Sequence, residues 1–157
     1  MNVECFRREG SEMKLPQYVS KDEVKRICNE LGFRDWSATT EPAVSEKEAS
    51  AILKIVNTKR MKIPLSDFRQ GLEVELEHGT RYEDANVTNN HPILTGRIVL
   101  AHLKETLDYY KRIEVAEIEG DLLKAVMSKN IKKIEEKYRK LVSAQGLLNK
   151  TISDQLK

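Results

Sequence analysis

The chain has 157 residues, of which 39% are hydrophobic, 33% charged and 6% aromatic. This length suits one ordinary domain, and the apolar fraction is large enough for a core, which argues against a disordered protein. No apolar run approaches the ~18 residues that a membrane-spanning helix needs. The 27 basic and 25 acidic residues leave a net charge of +2. We therefore expect no membrane segment and no whole-chain attraction to polyanions.

The N-terminal region and the cysteines indicate a cytoplasmic protein. Residues 1–18 have no hydrophobic pattern, predict a loose arm and contain no apolar stretch of the kind that a secretion signal needs. The two cysteines, Cys5 and Cys28, are far apart and form no metal or redox motif. Cys28 falls on the apolar stripe of a predicted helix, where a buried reduced thiol is expected.

Two capping boxes predict the starts of the first two helices. Each has a serine followed three residues later by a glutamate, in Ser20-Lys-Asp-Glu23 and Ser45-Glu-Lys-Glu48. Gly32 predicts the end of the first helix. The apolar residues that follow at helical spacing are Val24, Ile27, Cys28 and Leu31 in the first helix, and Ala49, Ile52, Leu53 and Val56 in the second.

The third segment runs from Pro64 to His78 and is ambiguous between helix and strand. Phe68, Leu72 and Leu76 are spaced as on one face of a helix, but the sequence 72–77 also alternates apolar and acidic residues as a strand would. We favour a helix because glutamate is poor in strands and because Gly79 resembles a helix cap.

The remaining segments also favour helices. Residues 79–91 form a polar loop rich in turn formers, and Pro92 predicts the first residue of a fourth helix. From Tyr109 onward the apolar residues follow a heptad-like spacing, which fits either two helices that break near Ser128-Lys-Asn130 or one long helix. The predicted fold is all-α, with a loose arm at 1–18, a compact multi-helix domain at 19–120 and a long helical C-terminal extension at 121–157.

Two acid–imidazole pairs form a candidate polar site. The sequence contains Glu75-x-x-His78 and, reversed, His102-x-x-Glu105, and each pair lies on one helix face close to the core. Facing helices that carry Glu-x-x-His build carboxylate–histidine metal sites in helical bundles, and these ligands suit zinc, iron or manganese. The four residues are therefore predicted as ligands of a divalent metal.

Other interpretations of these polar residues stay open. A histidine and a glutamate near a core also form hydrogen-bonded pairs that only fix packing. Acid–base catalysis by the same residues is disfavoured, because no nucleophile motif or phosphate loop accompanies them in the sequence. The loop from Asp84 has oxygen ligands at calcium-loop spacing, but Asn89 and Thr95 occupy the positions of the required glycine and bidentate glutamate.

The C-terminal segment is basic. Residues 129–150 contain seven lysines and arginines against Glu135 and Glu136. A nucleic-acid or other anionic partner would suit such a segment, but Tyr138 is its only aromatic residue, so a solvated face of an amphipathic helix is the favoured interpretation. Self-association or binding of a protein partner through this helix is the expected interaction.

Several motifs occur in a specific order along the middle of the chain. They are Gly71-Leu-Glu-Val-Glu-Leu-Glu-His-Gly79, Asn86-Val-Thr-Asn89, Pro92-x-x-Thr95-Gly96-x-Ile98, Leu100-Ala-His-Leu-Lys-Glu105 and Asp108-Tyr-Tyr110. Because these motifs occur in this order, the chain resembles a small uncharacterised domain family found in bacterial and phage proteins. The resemblance covers about residues 65–113, with residues 37–63 as an insertion and the heptad-like tail outside it.

This resemblance implies functional or structural importance for its matched positions. Where the family is expected to have two aspartates, this chain has Asn90 and His91, which disfavours an acidic metal-binding loop. Leu107 replaces an expected proline, so helices four and five are predicted to merge. The matched positions are Glu75, His78, Thr95, Gly96, His102, Glu105, Asp108, Tyr109 and Tyr110.

The favoured function is non-enzymatic. The heptad-like tail, the balanced charge and the lack of a catalytic motif indicate a helical protein that works through protein–protein contacts, with the Glu/His residues as an internal polar network. The alternative is a divalent-metal protein that uses the four predicted ligands.

Overall fold

The computed structural model describes residues 19–156, and this part of the chain is all-α with no β-strand, as predicted. The predicted arm at 1–18 lies outside the described residues. Two short 3-10 turns, Trp36–Ala38 and Glu83–Ala85, lie in the connections. The six α-helices of residues 19–156 are α1 (Lys21–Leu31), α2 (Glu46–Val56), α3 (Leu65–Arg81), α4 (Pro92–Glu105), α5 (Tyr109–Met127) and α6 (Ile131–Gln155).

The predicted caps form at the starts of α1 and α2. The Ser45 hydroxyl accepts the N–H of Glu48, whose carboxylate accepts the N–H of Ser45, which completes a capping box. Ser20 accepts the N–H of Glu23 in the same way. The Glu23 carboxylate, however, accepts hydrogen bonds from Arg26.

Helices α1 to α4 surround one hydrophobic core. The helical stripes predicted from the sequence supply it, and the connector between α1 and α2 contributes a fully buried Trp36. Helix α2 packs against both α3 and α4, so the segment 37–63 is an integral part of the core. The core side chains with no more than 1% exposure are Val24, Cys28, Trp36, Ala49, Ile52, Phe68, Leu72, Leu76, Val99 and Leu103.

The ambiguous third segment forms a helix, α3, as predicted, but this helix does not end at Gly79. It continues to Arg81, and Tyr82 is its C-cap. Gly79 is instead a buried position within the last turns, where the side chain of Asn90 occupies the space that a Cβ would need. The cap prediction was wrong because this glycine makes room for the Asn90 side chain and does not end the helix.

The loop after α3 packs against the helical core and leads into α4. Pro92 is the first residue of α4, as predicted. The Nδ1 atom of His91 accepts the N–H groups of Ile93 and Leu94, at 3.2 and 3.4 Å. Burial lowers the pKa of His91, which favours the neutral ring that this acceptor role requires.

Helices α4 and α5 do not merge, contrary to the prediction. Residues 106–108 separate them, and Thr106 has an extended backbone with φ −158° and ψ 140°. The carboxylate of Asp108, which is 1% exposed, accepts hydrogen bonds from the Thr106 hydroxyl and from the Arg112 guanidinium. These bonds fix the break without the proline that the resemblance led us to expect.

Helices α5 and α6 form an antiparallel hairpin. The chain reverses at Ser128–Asn130, where Lys129 has φ 52° and the Asn130 side chain accepts the N–H of Lys133. This excludes the alternative of one long helix. Residue 120, the predicted end of the compact domain, lies inside α5, so the helical extension begins within a continuous helix.

The hairpin is held by apolar and charged contacts. Ala125 of α5 and Leu141 and Ala144 of α6 are buried between the helices. Lys137 Nζ lies 2.7 Å from the Asp121 carboxylate across the same interface. No helix within residues 19–156 combines the length and apolar character needed to cross a membrane.

Candidate functional site

Three helices bring together one polar cluster, which consists of Glu75, His102 and Tyr110. The Tyr110 hydroxyl donates to Glu75 Oε1 at 2.9 Å. The Nδ1 atom of His102 lies 3.0 Å from the same hydroxyl and 3.3 Å from Glu75 Oε1. The side chains of Glu75 and His102 are 17% and 29% exposed, so the cluster lies at the edge of the core.

A glycine on α3 allows this cluster to form. Gly71 lies one turn before Glu75, and an ideal Cβ there would be 2.5 Å from Tyr110 Cε2 and 2.6 Å from Val99 Cγ1. The absent side chain lets α4 and α5 approach α3 closely. The Tyr110 hydroxyl can therefore reach the next turn of α3, where Glu75 lies.

The start of α5 positions both tyrosines. The Arg112 hydrogen bonds hold the pKa of Asp108 below its ordinary range despite the cost of burial, so the carboxylate stays charged. The Tyr109 ring then stacks on His102, with the ring centroids 4.3 Å apart and an interplanar angle of 10°. Tyr110 meets the same imidazole edge-on at 5.9 Å. The matched Asp-Tyr-Tyr motif thus holds His102 in one orientation.

The structure places the four predicted metal ligands in different surroundings. Glu75 and His102 are in contact, as described. His78 is half-exposed and its Nε2 lies 3.6 Å from Glu117 Oε1 on α5, while Glu105 is exposed at the end of α4. Among residues 19–156, no group of three or more His, Cys, Asp or Glu side chains is arranged to hold a metal ion.

The Tyr110 hydroxyl is the proton donor of the polar cluster. Burial, together with the nearby Glu75 carboxylate, raises the pKa of Tyr110 well above its ordinary value. The phenol therefore stays protonated and acts as a hydrogen-bond donor to Glu75. Such a donor orients its partners and is poorly suited to abstract a proton from a substrate.

Two further matched positions, Thr95 and Gly96, lie on α4 before His102. A small surface cleft of about 230 Å³ is lined in part by Glu75, His78 and Thr95. Gly96 lies against α2, where the Ile52 side chain fills the space that a Cβ would need. Gly96 is thus explained by helix packing, while Thr95 is buried below the cleft.

The cluster predicts a measurable loss of stability in Tyr110→Phe. This change removes the hydroxyl that donates to the partly buried Glu75 and contacts His102, and we expect the free energy of unfolding to fall by about 2 kcal/mol. Urea unfolding measures the effect. Tyr109→Phe is the control, because it retains the ring that stacks on His102 and should change stability by less than about 0.5 kcal/mol. Equal losses in the two variants would show that the network is energetically neutral.

A second candidate site lies on the hairpin. The sequence predicted an interaction through the C-terminal helix but did not identify the residues of this site. We define the hairpin face as five exposed apolar side chains on α5 and α6. Their exposures range from 50% to 66%. The five residues are Leu123, Val126, Ile131, Tyr138 and Val142. Heptad spacing did not predict that these residues are exposed. Such spacing identifies apolar positions on a helix, but it does not show which of them are buried by a neighbouring helix.

Several charges near the hairpin face are already neutralised within the chain. Lys137 pairs with Asp121, and Lys140 lies 2.8 Å from Glu136. The hydrogen bond from Lys137 lowers the pKa of Asp121 below its ordinary value. The basic character of residues 129–150 is therefore partly balanced by acidic neighbours.

Comparison with known proteins assigns the family. No curated protein and no solved structure matches the chain. Residues 24–119 match the family described as Protein of unknown function (DUF5661). This range includes 37–63 and exceeds the core of 65–113 expected from the motifs, while α6 lies beyond it. Because the match covers more than half of the chain, the protein belongs to the DUF5661 family.

Proposed function

We propose that this protein acts without catalysis, by binding a protein partner through the hairpin face. The supporting observation is the exposure of Leu123, Val126, Ile131, Tyr138 and Val142, each at least half exposed on one helix pair. Single exposed apolar residues are common, but a group of them on adjacent helices is typical of an interaction site.

The construction of the hairpin supports this proposal. Helix α6 has 25 residues, a length of about 37 Å, and packs mainly on α5. Only Leu141 and Ala144 of α6 are buried. An isolated helix pair buries little apolar surface, and a partner on the hairpin face would complete its packing.

The polar cluster supports a structural role for the family-like core. Glu75, His102 and Tyr110 satisfy one another, and the raised pKa of Tyr110 keeps its proton in place. A network that is internally satisfied fixes the relative positions of α3, α4 and α5. In this proposal the core is therefore a scaffold that presents the hairpin.

The alternative of a divalent-metal protein has less support. Glu75 and His102 would supply two ligands, and zinc, iron or manganese sites in proteins use three or more. Elemental analysis of the untagged protein tests this alternative directly. Metal near one ion per chain, with a thermal shift on adding the same metal, would favour it over the scaffold role.

The proposal includes a cellular setting. We place the protein in the cytoplasm, with Cys28 as a buried free thiol, which suits a reducing compartment. The motif order supports a bacterial or phage origin.

Site-specific photo-crosslinking in the native cells tests the proposal. A benzophenone amino acid in place of Tyr138 should give a crosslinked protein product. The same group in place of Leu147 is the matched control, since Leu147 is also 50% exposed and lies nine residues further, on the opposite side of α6. Equal crosslinking at both positions, or none at Tyr138, would contradict the proposal.

A further inference from the structure

We infer that the hairpin face binds a second copy of this chain, so that two hairpins pack into an antiparallel four-helix bundle. This inference rests on the proposed function and names its partner.

Helix α6 is apolar on two neighbouring sides, and α5 covers one of them. Leu141 and Ala144 are buried against α5. Ile131, Tyr138 and Val142 follow at steps of seven and four, so they form a separate exposed stripe next to the buried one. In a four-helix bundle each helix packs against two neighbours, which is the arrangement that this double stripe fits.

Helices α1 to α4 leave the hairpin face accessible. Glu117 of α5 faces α3, where it lies 3.6 Å from His78. Val126 follows nine residues later, and nine residues are two and a half helical turns, so Val126 lies on the opposite side of α5. A second hairpin can therefore approach this side without meeting α3.

Charge complementarity selects a second copy in one arrangement. On α5, Glu117 faces α3 and Asp121 pairs with Lys137 of its own chain, whereas Glu119 is exposed. On α6, Arg139 is exposed at the same level. A two-fold dimer that lays α5 on α6 of the second copy therefore opposes Glu119 and Arg139, twice. The arrangement that lays α5 on α5 would bring the two acidic helices together.

The contact between Asp121 and Lys137 sets the register of this bundle. Glu119 precedes Asp121 by two residues and Arg139 follows Lys137 by two, so Glu119 and Arg139 lie at the same level of the antiparallel pair. Both side chains are exposed. Arg139 lies about 200° around α6 from Leu141, so it points away from α5 of its own chain. With α5 on α6 of the second copy, Glu119 and Arg139 become neighbours at the rim of the bundle.

Analytical ultracentrifugation of the full chain tests the inference. We expect a concentration-dependent dimer that Tyr138→Glu weakens about 30-fold or more, as for a central interface residue. Leu147→Glu places the same charge on the opposite side of α6 and should leave dimerisation unchanged. Circular dichroism shows whether both variants retain their helices.

Charge reversal provides a second test that does not depend on the apolar stripe. Glu119→Lys and Arg139→Glu should each weaken the dimer, by about fivefold to tenfold for two rim pairs. An equal mixture of the two variants should regain the original affinity, because each mixed dimer contains two matched pairs. This recovery is expected only when the second copy is the partner.

The outcomes separate this inference from the proposed function. A chain that stays monomeric at every concentration, or a mixture that does not recover, overturns the second copy as partner. If Tyr138 then still crosslinks to a different protein in cells, the proposed function stands without the dimer. If crosslinking also fails, both are wrong.

Discussion

Replacement of Trp36 by alanine should lower the free energy of unfolding by about 3 to 5 kcal/mol, the range for large aromatic residues in cores. Trp36 is fully buried between α1 and α2, and its indole N–H donates to Glu48 Oε1 at 2.9 Å. Alanine removes both the volume and the donor. Urea unfolding followed by circular dichroism measures the loss.

Trp36→Phe separates the hydrogen bond from the volume. Phenylalanine retains an aromatic ring beside Phe33 but removes the donor to Glu48, and we expect a loss of about 1 to 3 kcal/mol. A loss as large as that of alanine would assign the whole effect to the indole donor.

The loss in Trp36→Phe should depend on pH. Burial would raise the pKa of Glu48, but the hydrogen bonds from Trp36 and Ser45 outweigh it, so the pKa lies below the ordinary 4.5. The lowered pKa contributes stability above the ordinary value, and this stability disappears as the pH falls through the folded value. The penalty of Trp36→Phe should therefore be larger at neutral pH than in acid. Equal penalties would contradict this role of the indole.

The sequence predicts those elements that local interactions determine. The Ser45 capping box, the Gly32 stop and Pro92 at the start of α4 depend on residues within one helical turn, and all three are present. The buried stripes follow from helical periodicity for the same reason. The choice of helix for the ambiguous segment ending at His78 was correct, because Phe68, Leu72 and Leu76 share one buried face.

The errors occur where distant residues determine the structure. Gly79 accommodates Asn90 from the other end of the loop that follows α3. The break between α4 and α5 is a different case, because it depends on local side-chain hydrogen bonds from Thr106 and Arg112 to Asp108 that helical periodicity does not reveal. Within the candidate site, helical spacing placed Glu75 and His102 near the core correctly. The partner Tyr110 lies 35 residues from Glu75 along the chain, and no local pattern in the sequence links them.

The second large effect is expected at Gly71, where three helices meet. Gly71→Val should lower the free energy of unfolding by about 3 kcal/mol or more, because overpacking and the loss of a buried polar contact add. A Cβ at this position would be 2.5 Å from the Tyr110 ring, so α5 must shift away from α3. The shift would also move the Tyr110 hydroxyl from Glu75.

Gly120→Val is the matched control for this substitution. Gly120 lies inside α5, and a Cβ there would meet no atom within 4 Å. Valine in this open helical position should change stability by no more than about 0.5 kcal/mol, because its helix propensity is slightly better than that of glycine. If both variants lose the same stability, the cost comes from valine in a helix and not from the junction. A large loss at Gly71 alone would show that close approach of the three helices, and with it the polar cluster, requires a residue without a side chain.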